Sequence, residues 1–214
     1  CFKRELIQSD LDNNTDLHPL YPLPCSSIIG GFPADNLNKD IDIFAVFGDT
    51  SKRREDIVKL INASYLPEKY NVYVKIYYYR DIPEIKTPWG DKRQLGTHQP
   101  LPYLVYLDYM SRAKINIVAR GWGYESMRRF EAPYFSGLVL SDNIPILTPN
   151  PFINNENIVY YNNDLSNLIG LIGYYLGNST ERERIGKSGR EHCIKYHTTE
   201  ARAMYFLDKI EKHI

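Results

Sequence analysis

The apolar residues of this chain fall into short runs, separated by segments in which they recur at helical spacing. The run from Ile41 to Phe47 is nearly continuous, which is typical of a strand buried on both faces. Residues 72–78 place apolar side chains at alternate positions and predict a second strand. Four shorter apolar runs predict further strands, at residues 114–119, 138–140, 144–147 and 157–161.

The segments between these runs predict helices, because their apolar residues recur every three or four positions. One helix follows Thr50 or Ser51, either of which can serve as its N-cap, and extends to Ile61. Another is predicted at about residues 104–112. Short strands that alternate with helices predict an α/β fold, a Rossmann-like parallel sheet with helices on both faces.

The last quarter of the chain carries mainly helical patterns. One helix follows Asp164, and Thr180 with Glu183 fits a capping box that would begin the next. The final helix is predicted from about residue 198 to the end. Its predicted buried face consists of Ala203, Leu207, Ile210 and Ile214.

Three regions are expected from these patterns. Residues 1–40 are rich in proline and asparagine and predict an extended lead-in or linker, since proline removes a backbone donor and disfavours helix. Residues 41–197 are predicted to form the Rossmann-like domain. Residues 198–214 form the C-terminal helix, packing back on this domain or toward a missing N-terminal half. Residues 84–99 have the proline, glycine and charge density of a long exposed loop.

Composition narrows the classes of function. The 214 residues include 26 Lys and Arg and 26 Asp and Glu, so no net charge favours nucleic acid or an anionic membrane, and any anion site must be local. Three cysteines form no metal-ligand spacing and favour a reducing, cytoplasmic location. No apolar run approaches the roughly 20 residues that span a bilayer. The chain lacks an initial methionine and is expected to be part of a longer protein.

The segment that follows the strand at 114–119 has the chemistry of an anion site. Its glycines would let backbone amides approach a ligand, and its arginines would add positive charge beside them. We expect a phosphate or diphosphate to be bound by Arg120, Gly121, Gly123, Arg128 and Arg129. The competing interpretation is an ordinary turn followed by a surface ion pair between Arg128 and Glu131.

A second basic loop follows the strand that ends at Phe47. Its candidate ligands are Gly48, Lys52 and Arg53. Positive charge in the first turn of a helix opposes the helix dipole, and an anion bound there would remove the conflict. Because ligands bind beyond the carboxyl ends of parallel strands, both loops are expected at one edge of the sheet. A solvated helix start is the simpler alternative.

An ordered series of motifs resembles the C-terminal part of group 1 glycosyltransferases, in particular the subgroup related to spore-coat maturation proteins. The series begins with Arg-Phe-Glu-Ala and a glycine, continues with an arginine-rich helix containing Gly-Arg, and ends with His-Thr and an arginine. The likeness is strong over about residues 114–202. The matching residues are Arg129, Phe130, Glu131, Ala132, Gly137, Arg182, Gly189, Arg190, His197, Thr198 and Arg202.

The resemblance implies the nucleotide-sugar-binding half of a GT-B glycosyltransferase, with acceptor groups on an N-terminal domain of a longer chain. It implies that Glu131 binds the ribose and that the loop of Gly48, Lys52 and Arg53 faces the donor diphosphate. No metal or other cofactor is expected. Many family members carry a second glutamate eight residues before the first, where this chain has Gly123. Glu125 is the only nearby acid, at a different spacing, and is a weak catalytic candidate near the transferred sugar.

Two other functions are compatible with these patterns. A Rossmann-like domain can keep the motif for folding and serve as a non-catalytic interaction module, in which case Arg128 and Arg129 would point away from Gly121. A flavodoxin-like domain that binds a nucleotide or flavin is the third possibility. The orientation of the arginines tests the interaction module, and an absorbance spectrum of the purified protein tests the flavodoxin-like domain.

Overall fold

The computed structural model describes residues 1–14, 19–27, 38–78, 84–86, 92–94 and 96–212. The elements of the first half are β1 (Phe2–Lys3), α1 (Gln8–Asp12), β2 (Tyr21–Pro22), β3 (Ile41–Gly48), α2 (Lys52–Asn62), α3 (Leu66–Lys69), β4 (Val72–Tyr77), β5 (Glu84–Lys86), β6 (Lys92–Gln94) and β7 (Gly96–Thr97). Those of the second half are α4 (Tyr103–Arg112), β8 (Ala113–Val118), α5 (Arg128–Glu131), a 3₁₀ turn (Ala132–Phe135), β9 (Leu138–Asp142), β10 (Val159–Tyr161), α6 (Leu168–Gly177), α7 (Ser179–Tyr196) and α8 (Thr199–Glu211).

Six strands form one parallel sheet in the order β10-β9-β8-β3-β4-β7. Numbered along the chain, this is the 3-2-1-4-5-6 order of a Rossmann fold, whose switch point lies between the first and fourth strands. Those strands are β3 and β8 here, and Ile43 pairs with Ile115 across them. The predicted parallel α/β fold is confirmed. The flavodoxin-like alternative is wrong, because that fold has a 2-1-3-4-5 order.

The strand β3 is apolar on both sides because helices cover both faces of the sheet. Ile43, Ala45 and Phe47 pack with α2 and α6, whereas Phe44 and Val46 pack with α4 and with the segment of α5. This division follows from the period of two in a strand. The sheet is therefore packed on both faces by apolar side chains.

Three local predictions are wrong. Residues 144–147 form no strand, since Pro145 cannot donate to a ladder and Ile146 makes a single antiparallel bridge to Ile7. Helix α7 begins earlier than the predicted capping box, because the Asn178 side chain accepts from the backbone N–H of Glu181. The segment predicted as one long loop contains an antiparallel pair, β5 and β6, and the sheet strand β7.

The predicted buried face of α8 is also wrong. Ala203 and Leu207 are exposed, and Ile214 lies outside the described residues. The helix instead turns Arg202 and Phe206 inward, with the Phe206 ring 4.6 Å from that of Phe2. Residues at the start of the chain therefore cover a face of α8 that the spacing of its apolar residues did not predict to be buried.

Residues 1–14 and 19–27 pack against the loop after β9, the segment after β8 and α8. We call residues 1–14 and 19–27 the N-terminal segment. Leu6 is fully buried, and its carbonyl accepts a hydrogen bond from the N–H of Leu147. The N–H of Ser27 donates to the carbonyl of His197, and Thr199 donates back to Ser27. This segment is thus attached at both ends to the Rossmann-like core.

Candidate functional site

A cleft of about 560 Å³ opens at the carboxyl ends of β3 and β4 and is bordered by the segment that follows β8. It lies at the switch point of the sheet, where ligands of open α/β folds bind. Its floor comes from the end of β3, one wall from α2 and α4, and the other wall from residues 125–131. The polar residues that line it are Arg54, Tyr77, Tyr103, Tyr106, Glu125, Ser126, Arg128 and Glu131.

Arg54, a residue that sequence analysis did not single out, joins the two strands at the switch point. Its Nη2 donates to the carbonyl of Ala119 at 3.0 Å, and its Nε donates to the carbonyl of Arg120 at 3.1 Å. Nη1 donates to Thr50 Oγ1 at 2.7 Å. Burial and then the charge of Arg128 lower the pKa of Arg54 to about 10, so the side chain remains a cation at neutral pH.

Arg128 presents a second cation to the cleft. Its Nε donates to the hydroxyl of Tyr106 at 2.6 Å, and its guanidinium lies 5.3 Å from the ring centres of Phe47 and Tyr106. Nη1 is buried and has no hydrogen-bond partner among the described residues. A buried donor without a partner is costly, and an anion in the cleft would satisfy it.

Glu131 brings a carboxylate to the same cleft. The residue is 5% exposed, and its Oε1 accepts a hydrogen bond from the Tyr103 hydroxyl at 3.1 Å. Burial raises the pKa of Glu131, while Tyr103 and Arg128 oppose that rise. The segment after β8 therefore places a hydrogen-bond acceptor near Arg128, in a cleft that Arg54 also lines.

The predicted loop glycines have different neighbours. We call residues 119–127 the glycine loop. A Cβ at Gly121 would lie 3.0 Å from Thr50 Oγ1 and 3.2 Å from Arg54 Nη2, whereas a Cβ at Gly123 would collide with the carboxylate of Glu5. Arg120 uses its backbone here, and its side chain lies over the Tyr124 ring. Gly48 lines the cleft at the end of β3.

Of the predicted donor-site residues, only Gly48, Arg128 and Glu131 line the cleft, and Arg120, Gly121 and Gly123 lie outside its lining. The side chains of the other three predicted phosphate ligands have partners elsewhere in the protein. Lys52 is exposed and donates to Asp56, and Arg53 donates to the carbonyl of Asn163. Arg129 is 6% exposed and donates to the backbone carbonyl of Asp142 at 2.7 Å. Arg128 and Arg129 thus point to different environments, since neighbouring residues on a helix are about 100° apart.

Helical periodicity could have identified Arg54. It lies three and four residues before Ile57 and Val58, which pack into the core on the same face of α2. Lys52 and Arg53 are one or two residues off this face. Tyr103 and Tyr106 carried no such signal, because their role depends on Glu131 and Arg128, more than 20 residues later in the chain.

Most of the other motif residues stabilise the fold and do not line the cleft. Arg182 donates to the carbonyl of Tyr175, Arg190 to that of Tyr134, and Arg202 to His197 Nδ1. A Cβ at Gly137 would lie 2.6 Å from Asn116 Nδ2, and one at Gly189 would lie 2.6 Å from the carbonyl of Asn157. These motif positions are explained by close packing.

A second pocket, of about 430 Å³, lies near the start of β8 and contrasts with the cleft. Lys39 donates to the carbonyls of Ser111 and Phe135, and Lys114 donates to Asp42. These cations already have partners within the protein. Among the described residues, no cluster of three or more His, Cys, Asp or Glu side chains could hold a metal ion. The described helices include none long and apolar enough to cross a membrane.

The fold and the cleft define a Rossmann-like α/β domain of the GT-B type, with arginines and a glutamate at its switch point. A family model described as "Glycosyl transferase-like" matches residues 53–208. The chain belongs to this family. A search of curated protein sequences found no match.

Solved structures show the same fold. The chain is 15% identical to sucrose-phosphate synthase from Thermosynechococcus elongatus, with a TM-score of 0.60 over 96% of this chain and 55% of that one. It is 13% identical to a point mutant of S. aureus TarM in complex with UDP and other ligands, with a TM-score of 0.58 over 95% of this chain and 42% of that one. It is also 13% identical to an alpha-glucosyltransferase in complex with UDP-glucose and DNA, with a TM-score of 0.56 over 95% of this chain and 61% of that one. The chain therefore spans between two fifths and about three fifths of these proteins.

Proposed function

We propose that this chain is the donor-binding domain of a glycosyltransferase and that its cleft binds a nucleoside diphosphate sugar. The observation that carries this proposal is the buried Nη1 of Arg128, which lacks a partner in the described structure and borders the cleft. A diphosphate oxygen would complete its hydrogen bonding. UDP or UDP-glucose in solved structures of the same fold supports the same class of ligand.

Each charged residue of the cleft has a role in this proposal. Arg54 and Arg128 bind the diphosphate, and Glu131 accepts a hydrogen bond from a ribose hydroxyl. When the glycosyl group leaves, negative charge develops on the nucleoside diphosphate, and fixed cations stabilise that charge without reorganising. Glu125, which also lines the cleft, faces the glycosyl group.

The remaining features belong to the proposal as a whole. The ordered motifs favour the spore-coat maturation subgroup within the wider family. A second, N-terminal domain of a longer chain would hold the acceptor, and the complete enzyme would act in the cytoplasm without a metal cofactor. Transfer by this chain alone is expected to be slow, because it spans only part of its structural relatives.

Calorimetric titration of the purified chain with UDP, GDP and ADP tests the proposal. We expect one of the three to bind, and we expect Arg128→Gln and Glu131→Gln each to weaken that binding. Lys52→Gln is a matched control, because it removes a cation from an exposed position outside the cleft. The proposal fails if none of the nucleotides binds, or if the two cleft variants bind as tightly as the control.

The non-catalytic module is less well supported. It required Arg128 and Arg129 to point away from Gly121, and this holds only for Arg129, which donates to Asp142. Arg128 lines the cleft with Arg54, and the Arg54 guanidinium lies beside Gly121. One cation of the pair is therefore available to a ligand.

A further inference from the structure

The N-terminal segment contacts the wall of the cleft through Glu5. Its Oε1 accepts a hydrogen bond from the backbone N–H of Glu125 at 2.8 Å, although the two residues are 120 positions apart. The same carboxylate occupies the space where a side chain at position 123 would lie. Gly123 is therefore the recess that admits Glu5, and Glu5 holds the end of the glycine loop.

The side chain of Glu125 is held from the same segment. It is 1% exposed, and its Oε1 accepts from the backbone N–H of Cys25 at 2.9 Å. Oε2 lies 3.6 Å from Arg4 Nε and has no hydrogen-bond partner among the described residues. Burial raises the pKa of Glu125. Glu125, which lines the cleft, thus keeps one buried oxygen that is ion-paired with Arg4 and accepts no hydrogen bond from the described residues.

Glu5 and Cys25 are themselves fixed by their neighbours in the sequence. Leu6, next to Glu5, is fully buried and bonded through its carbonyl to Leu147. Ser27, two residues after Cys25, is 3% exposed and bonded to His197. The two contacts to Glu125, from the Glu5 carboxylate and from the Cys25 backbone N–H, therefore come from residues beside anchored backbone and can determine where the Glu125 carboxylate points.

We propose that Glu5 is a positioning residue for the cleft, which holds Glu125 so that its Oε2 accepts a hydroxyl of the donor's glycosyl group. This inference rests on the proposed donor site and adds to it a requirement for the N-terminal segment. Glu5 touches no ligand in this account. It acts through the backbone of Glu125.

Hydrogen exchange of the Glu125 amide tests the positioning without any nucleotide. A charge-assisted bond contributes about 1.5–3 kcal/mol, so Glu5→Ala is expected to accelerate exchange of the Glu125 amide, measured in the peptide covering residues 121–127, by roughly 10- to 150-fold. Glu5→Gln keeps an acceptor and should restore most of the protection. Asp12→Ala is the matched control, since Asp12 is an exposed acid of the same segment that bonds to Gln8. Unchanged exchange in Glu5→Ala would overturn the inference.

Gly123→Ala should break the same hydrogen bond between Glu5 and Glu125 while leaving Glu5 in place. The added Cβ would displace the flexible Glu5 carboxylate, so exchange at Glu125 should rise as it does in Glu5→Ala. Combining the two substitutions should add little, because Glu5 is then already absent. Full additivity would show that Gly123 is needed for another reason and would contradict the pairing of these two residues.

Binding measurements connect the positioning to the sugar. For whichever nucleoside diphosphate binds, calorimetry should compare it with its glucose conjugate in the full chain. We expect Glu5→Ala to remove most of the affinity that the sugar adds, to leave the nucleotide affinity within twofold, and to be rescued by Glu5→Gln. Equal loss for both ligands, or no sugar-dependent affinity in the unmodified chain, would overturn the inference. Failure of the chain to bind any nucleotide would instead refute the donor site, while the exchange result would still decide whether Glu5 fixes the loop.

Discussion

Three buried arginines of the motif series differ from the half-buried Arg128 in where their donors lie. Arg129 donates to the carbonyl of Asp142, Arg182 donates to the carbonyl of Tyr175, and Arg202 donates to His197 Nδ1. Arg128, on the wall of the cleft, keeps a buried donor without a partner in the described structure. Burial alone therefore does not identify a functional arginine. Nor does an unpartnered donor alone, because Arg202 Nε is also buried without a hydrogen-bond partner in the described structure. The distinction is that the unpartnered donor of Arg128 belongs to a residue that lines the cleft.

The largest effect that this comparison predicts is on the stability of Arg129→Met. The substitution would leave Asp142, which is 1% exposed, without its cation, and breaking a buried pair costs about 3–5 kcal/mol. Urea unfolding followed by circular dichroism would measure the change. Lys52→Met removes an exposed cation and should stay within about 0.5 kcal/mol of the unmodified chain. Equal stability of the two variants would show that buried Arg129 contributes no more to the fold than exposed Lys52.

Arg128→Gln should give the opposite result. Its loss is expected to weaken binding of the preferred nucleoside diphosphate by about 2–3 kcal/mol, or roughly 30- to 150-fold, since the hydrogen bond involves a charged donor. The free energy of unfolding should change much less than in Arg129→Met. Calorimetry and urea unfolding on the same protein preparation would measure both quantities. If the variant loses stability but binds normally, Arg128 stabilises the fold as Arg129 does and is not a ligand-binding residue.

The pair of His197 and Arg202 predicts a dependence of stability on pH. Arginine can only donate, so His197 Nδ1 accepts and Nε2 carries the proton. Burial, and then the charge of Arg202, lower the pKa of His197 to about 2, compared with about 6.5 in an unfolded chain. Between these values the unfolded chain binds a proton that the native state does not, so the native state loses stability as the pH falls.

The expected slope is up to about 1.4 kcal/mol per pH unit below pH 6.5. Urea unfolding at pH 7.0, 6.0, 5.0 and 4.5 would measure it. His197→Gln keeps an acceptor for Arg202 but cannot titrate, and its stability should decline less over this range. If both proteins lose stability in parallel, other groups account for the dependence.

The sequence predicted the sheet well because the apolar period reports burial directly. The runs at β3, β8 and β9 are buried on both faces, and each was recognised from its apolar side chains. The position of Glu131 in the cleft agrees with the prediction that the segment after β8 carries a polar site. These features depend on neighbouring residues, and local sequence contains the information.

The rest depended on contacts between distant parts of the chain. Arg128 and Arg129 are adjacent and chemically identical, and only the packing of α5 against Tyr106 on one side and Asp142 on the other separates them. Glu125 receives a hydrogen bond from Cys25, and donates one to Glu5, across at least 100 residues. No periodicity reports such pairs. The pattern of α2 did report Arg54, through its spacing from Ile57, and that signal was missed.

Tyr103→Phe gives the smallest expected effect and the finest test of the comparison. The hydroxyl donates to Glu131 Oε1, and its loss would leave the carboxylate less fixed while keeping both cleft arginines. A hydrogen bond of this kind contributes about 1 kcal/mol, so nucleotide affinity should fall about fivefold. Tyr174→Phe is the matched control, because that hydroxyl accepts from Asn178 on the exposed side of α6. Since Glu131 is assigned to the ribose, ribose 5-phosphate should lose affinity in parallel with the nucleotide. An effect on the nucleotide alone would place Tyr103 against the base and leave Glu131 without this support.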